Sequence, residues 1–354
     1  MGDVCNTSTG NKNTQDKIED GVYPFYVRSQ TVERINSWTF DGEAILTAGD
    51  GVGVGKVFHH TYGKIGVHQR VYILSDFKCD ANYLFHFFSS KFYNRVKRMS
   101  AKNSVDSVRK EMITDMPLSL PCRKEQVKIG RLLTLLDERI TTQNKIIEDL
   151  KKLKSAIIDY AINSLDTDFG KFGSLYEMAG EGGTPTTSNA SFYDNGKIPF
   201  IKIDDLKQKY LVENNDFITE LGLQKSSAWL VPTRSILFSN GATIGEITIT
   251  TYPVCTKQGI LGIVPKQSID VEFLYYFMSS SYFKKAVSRI VTEGTMKTAY
   301  LKDINNILCP IPTKEKQQEI VKMPSALNSK IDIEQSILKL FITQKQHLLR
   351  QMFI

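Results

Sequence analysis

The chain repeats itself in order, and that constrains it more than any other feature. PFYVRS (24–29), EAILTAGDGVGVGKV (43–57), DANYLFHFFSSKFYNRV (80–96) and LPCRKEQVKI (120–129) run through the first half. PFIKID (199–204), RSILFSNGATIGEI (234–247), DVEFLYYFMSSSYFKKAV (270–287) and IPTKEKQQEI (311–320) follow in the second. The register hardly drifts: Leu84 recurs as Leu274, 190 residues on, and Pro121 as Pro312, 191 on. Solenoid repeats have periods of roughly 20–50 residues, so this period marks a duplicated domain instead. Two similar surfaces on one chain suit a ligand with two similar halves, and duplex DNA is such a ligand.

The 354 residues hold about two domains with connections, and 41% hydrophobic residues are enough for a core in each. A net charge of +7 permits a polyanionic partner. Cys5, Cys79, Cys122, Cys255 and Cys309 form no CxxC, and no His stands at ligand spacing from a pair. Structural zinc and a disulfide framework are not expected, and reduced thiols fit a cytoplasmic protein. The polar start MGDVCNTSTGNKNTQDK lacks a charged-then-apolar signal pattern. No apolar run approaches the ~20 residues of a membrane span.

Residues 1–119 read as a first domain. Strands are expected at 22–28, 43–48, 55–62 and 70–75, with Gly-rich breaks between them. A helix follows from Asp80, its N-cap, with Leu84, Phe87, Phe88, Phe92, Val96 and Met99 at helical spacing. Residues 120–165 change character: Gly and Pro nearly vanish, and a seven-residue rhythm predicts one long helix over about 123–164. Its seam is Ile129, Leu133, Leu136, Ile140, Ile147, Leu150, Ile157 and Ala161, with polar Gln143 and Lys154 on the same line. The repeat carries this seam to Ile320, Pro324, Leu327, Ile331, Leu338, Phe341, Leu348 and Met352, and the polar positions to Glu334 and Lys345. Two such helices on one chain most simply pair with each other, antiparallel if a pseudo-two-fold relates the halves. Proline inside a helix removes a hydrogen bond, so the second helix is expected to start or kink near Pro324, with Ser325 as a fresh start. Residues 166–310 read as the second domain, with a Gly/Ser/Thr/Asn-rich lead-in loop (183–197), strands at 199–203, 235–239, 246–252 and 259–265, and a helix from Asp270. Residues 311–354 hold the second helix.

The stretch GDGVGVGK (49–56) fails as a Walker loop, because Val57 follows Lys56 where Ser or Thr should hold magnesium. No helix-forming segment follows it, so it fails as a dinucleotide fingerprint too. It reads as a strand-to-strand turn. No amino-methyltransferase loop of the type (D/N)PP(Y/F/W), GxSxG, HExxH or kinase set is present. Asp204 and Asp205 with Lys207 invite a nuclease reading, but their counterparts are Ser29, Gln30 and Val32, which favours a solvated or capping role. Nothing catalytic, cofactor-binding or metal-ligating is assigned. Binding signals are stronger. A basic segment follows each domain's helix: Lys91, Arg95, Lys97, Arg98, Lys102, Arg109 and Lys110 in the first, Lys284, Lys285, Arg289, Lys297 and Lys302 in the second. Gln69 with Arg70, and Lys257 with Gln258, stand at corresponding strand starts, and Arg and Gln are natural readers of guanine and adenine edges.

Two β domains, each closed by (I/L)P-x-x-(K/E)-x-Q-x-x-I and a long helix, resemble the specificity subunit of type I restriction-modification systems. The carrying residues are LPCRKEQVKIGRLLTLLDERI (120–140) and IPTKEKQQEIVKMPSALNSKI (311–331), with IPFIKIDDL (198–206), SNGATIGE (239–246), TKQGILGIVP (256–265) and GTMKTAYLKDI (294–304). The resemblance implies an α+β fold: two β-rich mixed α/β target-recognition domains related by a pseudo-two-fold, joined by an antiparallel two-helix coiled coil. It implies that each domain reads one half of a bipartite, interrupted DNA site. The helices would set the spacing and recruit two methyltransferase subunits, which bind S-adenosylmethionine and methylate adenine; restriction (translocase-nuclease) subunits can join. A helix of ~35 residues is ~50 Å long, enough for readers ~34 Å or more apart. Family members usually carry a lead-in before the first domain, whereas MGDV starts at that domain's edge.

The expected DNA contacts are Lys12, Arg28, Lys56, Gln69, Arg70 and Lys102, then Thr184, Lys202, Asn240, Lys257, Gln258, Thr295 and Lys297, with Ser8 and Thr9 as further loop contacts. Lysines should hold phosphates; Gln, Arg and Asn should read bases. The rivals are a stand-alone DNA methyltransferase or nuclease with built-in recognition, which needs a catalytic motif, and a coiled-coil scaffold without nucleic acid.

Overall fold

The computed structural model describes residues 1–99, 107–241, 243–291 and 297–353. The chain divides into two compact units, Met1–Lys145 with Ser336–Ile354, and Ile146–Gln335.

The first unit holds β1 (Asn6–Thr9), β2 (Tyr23–Tyr26), β3 (Val32–Ile35), β4 (Phe40–Ala48), β5 (Phe58–Val67) and β6 (Val71–Ser75). They form one sheet in the order β1-β6-β4-β5-β2-β3. β2 runs parallel to the end of β5, with Phe25 opposite Gly66. Alternation along β4 sets the two faces: Ala44 and Leu46 pack with Val67, Val71 and Ile73, while Ile45 points to α1 (Ala81–Met99). Leu84, Phe88, Phe92 and Val96 of α1 are fully buried there. Asp80 caps that helix, accepting from Tyr83 N–H at 2.9 Å. A short α2 (Lys110–Thr114) leads to α3 (Arg123–Asn163).

The second unit holds β7 (Phe169–Lys171), β8 (Tyr176–Glu181), β9 (Ile198–Ile201), β10 (Tyr210–Leu211), β11 (Phe217–Ile218), α4 (Glu220–Gln224), β12 (Ile236–Ser239), β13 (Ile247–Thr250), β14 (Cys255–Thr256), β15 (Ile260–Pro265), α5 (Val271–Ser279), α6 (Ser281–Ile290), α7 (Leu301–Ile304), β16 (Leu308–Pro310) and α8 (Lys314–Met352), the last reaching on into the first unit. Its main sheet runs β10-β13-β12-β15-β8, beside a β11-β9-β14 sheet and a β16-β7 pair. Stripped of insertions, β8-β15-β12-β13 repeats the order β1-β6-β4-β5. β9 runs parallel to β14 as β2 does to β5. One long strand in the first unit thus does the work of two in the second, where Pro253 interrupts it.

The helix halves pack antiparallel within each unit. In the first, Asp137 bonds Lys345, and Arg139 lies 5.8 Å from the Phe341 ring. In the second, Lys154 donates to Asn328 at 3.0 Å, and Ile158, Ile162 and Ile320 share a core. All the expected seam residues are buried or half-buried: Ile129, Leu136, Ile140, Ile147, Leu150 and Ile157 on α3, Leu327, Ile331, Leu338, Phe341 and Leu348 on α8.

Several details differ from the sequence reading. β1, β3, β8, β10 and β11 lie in segments too short or too polar to signal strands. The helix from Asp270 breaks at Ser280, whose hydroxyl accepts from Phe283 N–H and starts α6. α8 starts at Lys314, ten residues before Pro324, and runs through it. The start near Pro324 is therefore corrected. Pro324 is buried, and Ser325 caps nothing: its hydroxyl accepts from Lys209 at 2.9 Å and donates to Glu272 at 2.9 Å. Lys209 also donates to Glu272 at 2.6 Å. Burial pulls the Glu272 carboxyl up, but bonds from Lys209, Tyr210 and Ser325 outweigh it and hold it below its usual range. This packing and bonding hold a helix across a residue that disfavours it.

Candidate nucleic-acid interface

In both units the polar residues gather where the same strand ends meet, because the same backbone bonds close the same loops. In the first unit, His68 N–H donates to Tyr26 C=O at 3.0 Å, Gln69 N–H to Lys12 C=O at 2.8 Å, Gly49 N–H to Arg70 C=O at 2.7 Å and Val108 N–H to Gly49 C=O at 2.7 Å. In the second, Lys257 donates to Ile201 at 2.9 Å, Asn240 to Gly259 at 3.0 Å and Ala299 to Asn240 at 2.9 Å. Gly10 and Gly182 hold equivalent crossings: a Cβ there would lie 2.1 Å from Val67 O and 2.2 Å from Thr256 O respectively. The frame sets Gln69 against Gln258, His68 against Lys257 and Arg70 against Gly259. The pairing read from sequence was one residue out of step, since it matched Gln69 to Lys257.

The first cluster brings Lys12, Arg28, Gln69 and Arg70 together. Arg28, Gln69 and Arg70 are exposed and Lys12 is half-buried. Gln69 Nε2 donates to Asn13 Oδ1 at 2.6 Å. Asp50 joins the two arginines: its Oδ1 accepts from Arg28 Nη1 at 3.0 Å, and its Oδ2 lies 3.7 Å from Arg70 Nε. Arg70 N–H donates to His68 Nδ1 at 3.0 Å, which requires a ring unprotonated at that nitrogen. Burial, and then the Arg28 guanidinium, lower the His68 pKa and favour that form. The glycine stretch 49–56 is the β4–β5 turn, with Gly51 and Gly55 at φ +75° and +67°. Lys56 leaves the cluster and lies 5.2 Å from the Tyr93 ring on α1. Ser8 and Thr9 lie in β1, not in a loop. Lys102 falls outside the described residues.

The second cluster brings Thr184, Lys202, Lys257 and Gln258 together. Lys202, Lys257 and Gln258 are exposed. Thr184 Oγ1 accepts from Gln258 N–H at 3.3 Å, and Glu181 accepts from Gly259 N–H at 3.0 Å. Lys202 donates to Asp216 at 2.7 Å. Asn240 is 1% exposed, and its Nδ2 donates to Ala299 C=O at 3.2 Å. That places it beneath the loops as a bracket, out of reach of a base edge. Lys297 is exposed beside a cavity of about 580 Å³ with Glu246 and Lys284 on its wall. Thr295 falls outside the described residues. Asp205 accepts from Lys202 N–H at 2.8 Å and Asp204 pairs with Lys207, so both take the capping and solvated roles read for them.

The basic residues of α1 are partly taken up by the fold. Arg95 Nε donates to Met112 C=O at 2.8 Å, tying α1 to α2. Lys91 and Arg98 line a cavity of about 570 Å³ beside α1. Burial raises the thiols of Cys5 and Cys255 to about 11 and pushes Cys309 up as well, so these sulfurs stay protonated. Asp50, His68, Asn13, Glu181 and Asp216 were missed in the sequence. Asp50 stands far along the chain from both its arginines, and no local spacing signals such a contact.

The sequence profile described as the type I restriction modification DNA specificity domain matches residues 1–152 and again 166–340. The chain is 23% identical to the Escherichia coli type I restriction enzyme EcoDI specificity subunit, over 91% of this chain and 79% of that one. It is 24% identical to the MjaVIII specificity subunit of Methanocaldococcus jannaschii, over 90% and 79% respectively. The MjaIX specificity subunit of the same organism is 31% identical over 47% of this chain and 39% of its own length. In fold, the crystal structure of the type I restriction-modification S subunit from M. genitalium is similar at TM-score 0.65 and 16% identity, covering 99% of this chain and 94% of that one. A chain from a structure of type I restriction-modification complex assembly and conformational transition is similar at TM-score 0.59 and 15% identity, covering 99% and 96%.

Proposed function

Because this chain belongs to the family of type I restriction-modification DNA specificity domains, we propose that it reads a bipartite, interrupted duplex site, one half per unit, for a methyltransferase it does not itself contain. The observation that carries this reading is the recurrence of one loop cluster, built by matching backbone bonds, in two units whose exposed polar residues differ. A shared frame gives a shared way of docking; different side chains give two different half-sites. Gln258, exposed with its backbone N–H bonded to Thr184, would read an adenine edge. Lys12, Lys202 and Lys257 would hold phosphates.

The helices serve the partners. On α3, Ile146, Leu153 and Tyr160 recur every seven residues and are 39%, 49% and 77% exposed. Such an apolar line outside the helix pair suits further helices. Two methyltransferase subunits would dock there, bringing their own S-adenosylmethionine, and restriction subunits would join the assembly in the cytoplasm. The chain is the specificity component; the chemistry belongs to those partners.

Methylome sequencing of cells producing the chain with its methyltransferase subunits tests this. The expected result is one bipartite adenine-methylated motif. Gln258→Ala should relax one half of it and leave the other intact. A contiguous motif, or changes in both halves, would overturn the reading. Methylation of plasmid DNA by the purified chain alone would favour the enzyme rival.

A further inference from the structure

We propose that Asp50 is a positioning residue that presents Arg28 and Arg70 to guanine, so that the half-site read by the first unit contains a guanine. This rests on the DNA-reading function proposed above and deepens it.

Asp50 is fixed from both sides. Gly49, just before it, donates to Arg70 C=O at 2.7 Å and accepts from Val108 N–H at 2.7 Å. Asp50 itself forms a backbone bridge with Ser107. Its carboxylate is therefore held in place by the sheet end, and both arginines come to it from other loops. Contact with Arg28 is through Nη1 at 3.0 Å; Arg70 faces it through Nε at 3.7 Å. Among the described residues, each guanidinium keeps a free edge. On Arg70 that edge is the pair of terminal Nη groups, the fork that donates to O6 and N7 of guanine together. Arg70 is 65% exposed and Arg28 45%, so both edges are open to a ligand. Two cations on one carboxylate leave the group net positive, as a DNA surface requires, yet restrain two long side chains that would otherwise sample many rotamers.

Among the described residues, the second unit lacks this device. The backbone frame places Gly241 where the first unit has Asp50, and Gly259 where it has Arg70. Its salt bridge at the cluster is Lys202 with Asp216, a point charge and not a fork. The assignment therefore applies to one half of the site only.

Purified full-length chain, incubated at low ionic strength with a pool of duplexes randomised in two blocks, supplies the test by sequencing what it retains. Wild type should enrich a guanine in one block. Asp50→Asn and Arg70→Lys should each cut the preference for that guanine by about tenfold or more, the scale of one bidentate base contact. The other block, marked by its sensitivity to Gln258→Ala, should be unchanged. Asp50→Glu, which keeps the carboxylate, should retain part of the preference. Retention of unselected duplex by Asp50→Asn should equal or exceed wild type, because a negative charge is removed from the surface. Guanine preference intact in Asp50→Asn would overturn the assignment. So would a uniform loss of DNA binding with a lowered melting temperature, the mark of a residue that only supports the fold. No enrichment of any sequence by wild type would instead defeat DNA reading as such.

Discussion

His86 lies on α1 with 1% of its surface exposed. Its Nε2 is 3.2 Å from Thr134 Oγ1, and its Nδ1 is 3.8 Å from Asp137. Burial drives its pKa from 6.5 down to about 4, with Asp137 pulling up and Lys345 and His60 pulling down. The unfolded chain therefore binds this proton first as pH falls. Stability from His86 is full above about pH 6.5 and drains away between there and pH 4, by on the order of 2–3 kcal/mol. Chemical denaturation across that range should show the slope, and His86→Gln should flatten it; an unchanged slope would assign it elsewhere. The same contrast between buried and exposed polar groups separates Asn240 from Gln258. Both are amides near the same strand ends, and composition and position mark them alike. Only burial shows that Asn240 holds a carbonyl while Gln258 faces outward.

Each long helix begins with a glutamine that locks the unit it enters. Gln126 accepts from Asp80 N–H at 3.0 Å and donates to Pro121 C=O at 2.8 Å. Gln317 repeats this with Asp270 at 2.7 Å and Pro312 at 2.8 Å. The motif (I/L)P-x-x-(K/E)-x-Q was legible as a repeated string, and its physical reason is this bracket between a helix start and a helix N-cap. The heptad seam was legible too, since burial of one stripe imposes its own period. The helix start expected near Pro324 fails, because propensity is local and the packing that overrides it is not. Its missing N–H leaves the Ile320 carbonyl without a helical partner. Pro324→Ala restores that bond and should raise the unfolding free energy by about 1–2 kcal/mol, somewhat less than the ~3 kcal/mol intrinsic penalty because ring contacts are lost. Urea titration measures it; a destabilised variant would show that the ring packing dominates.

At the scale of the whole molecule, charge and duplication act together. A net charge of +7 with two basic loop clusters predicts DNA affinity that falls by about 100-fold or more between ~50 and ~200 mM salt. Titration of a labelled duplex measures the slope, and salt-independent binding, or none, would favour a protein scaffold. The sequence by itself determined that there are two copies of one β-rich module, each closed by a long amphipathic helix, because a hydrophobic pattern repeated at 190 residues leaves a periodic trace in the chain. It also marked the glycine turn and the exposed cations of the two loop clusters, Arg28, Arg70, Lys202 and Lys257. What only the tertiary structure decided is which polar groups meet. Asp50 finds Arg28 and Arg70, Gln69 finds Asn13, Asn240 sinks beneath its loop and Lys209 reaches Ser325. Such contacts join loops far apart in sequence, and their strength depends on burial and on angstrom-scale distance, which the order of residues does not encode locally.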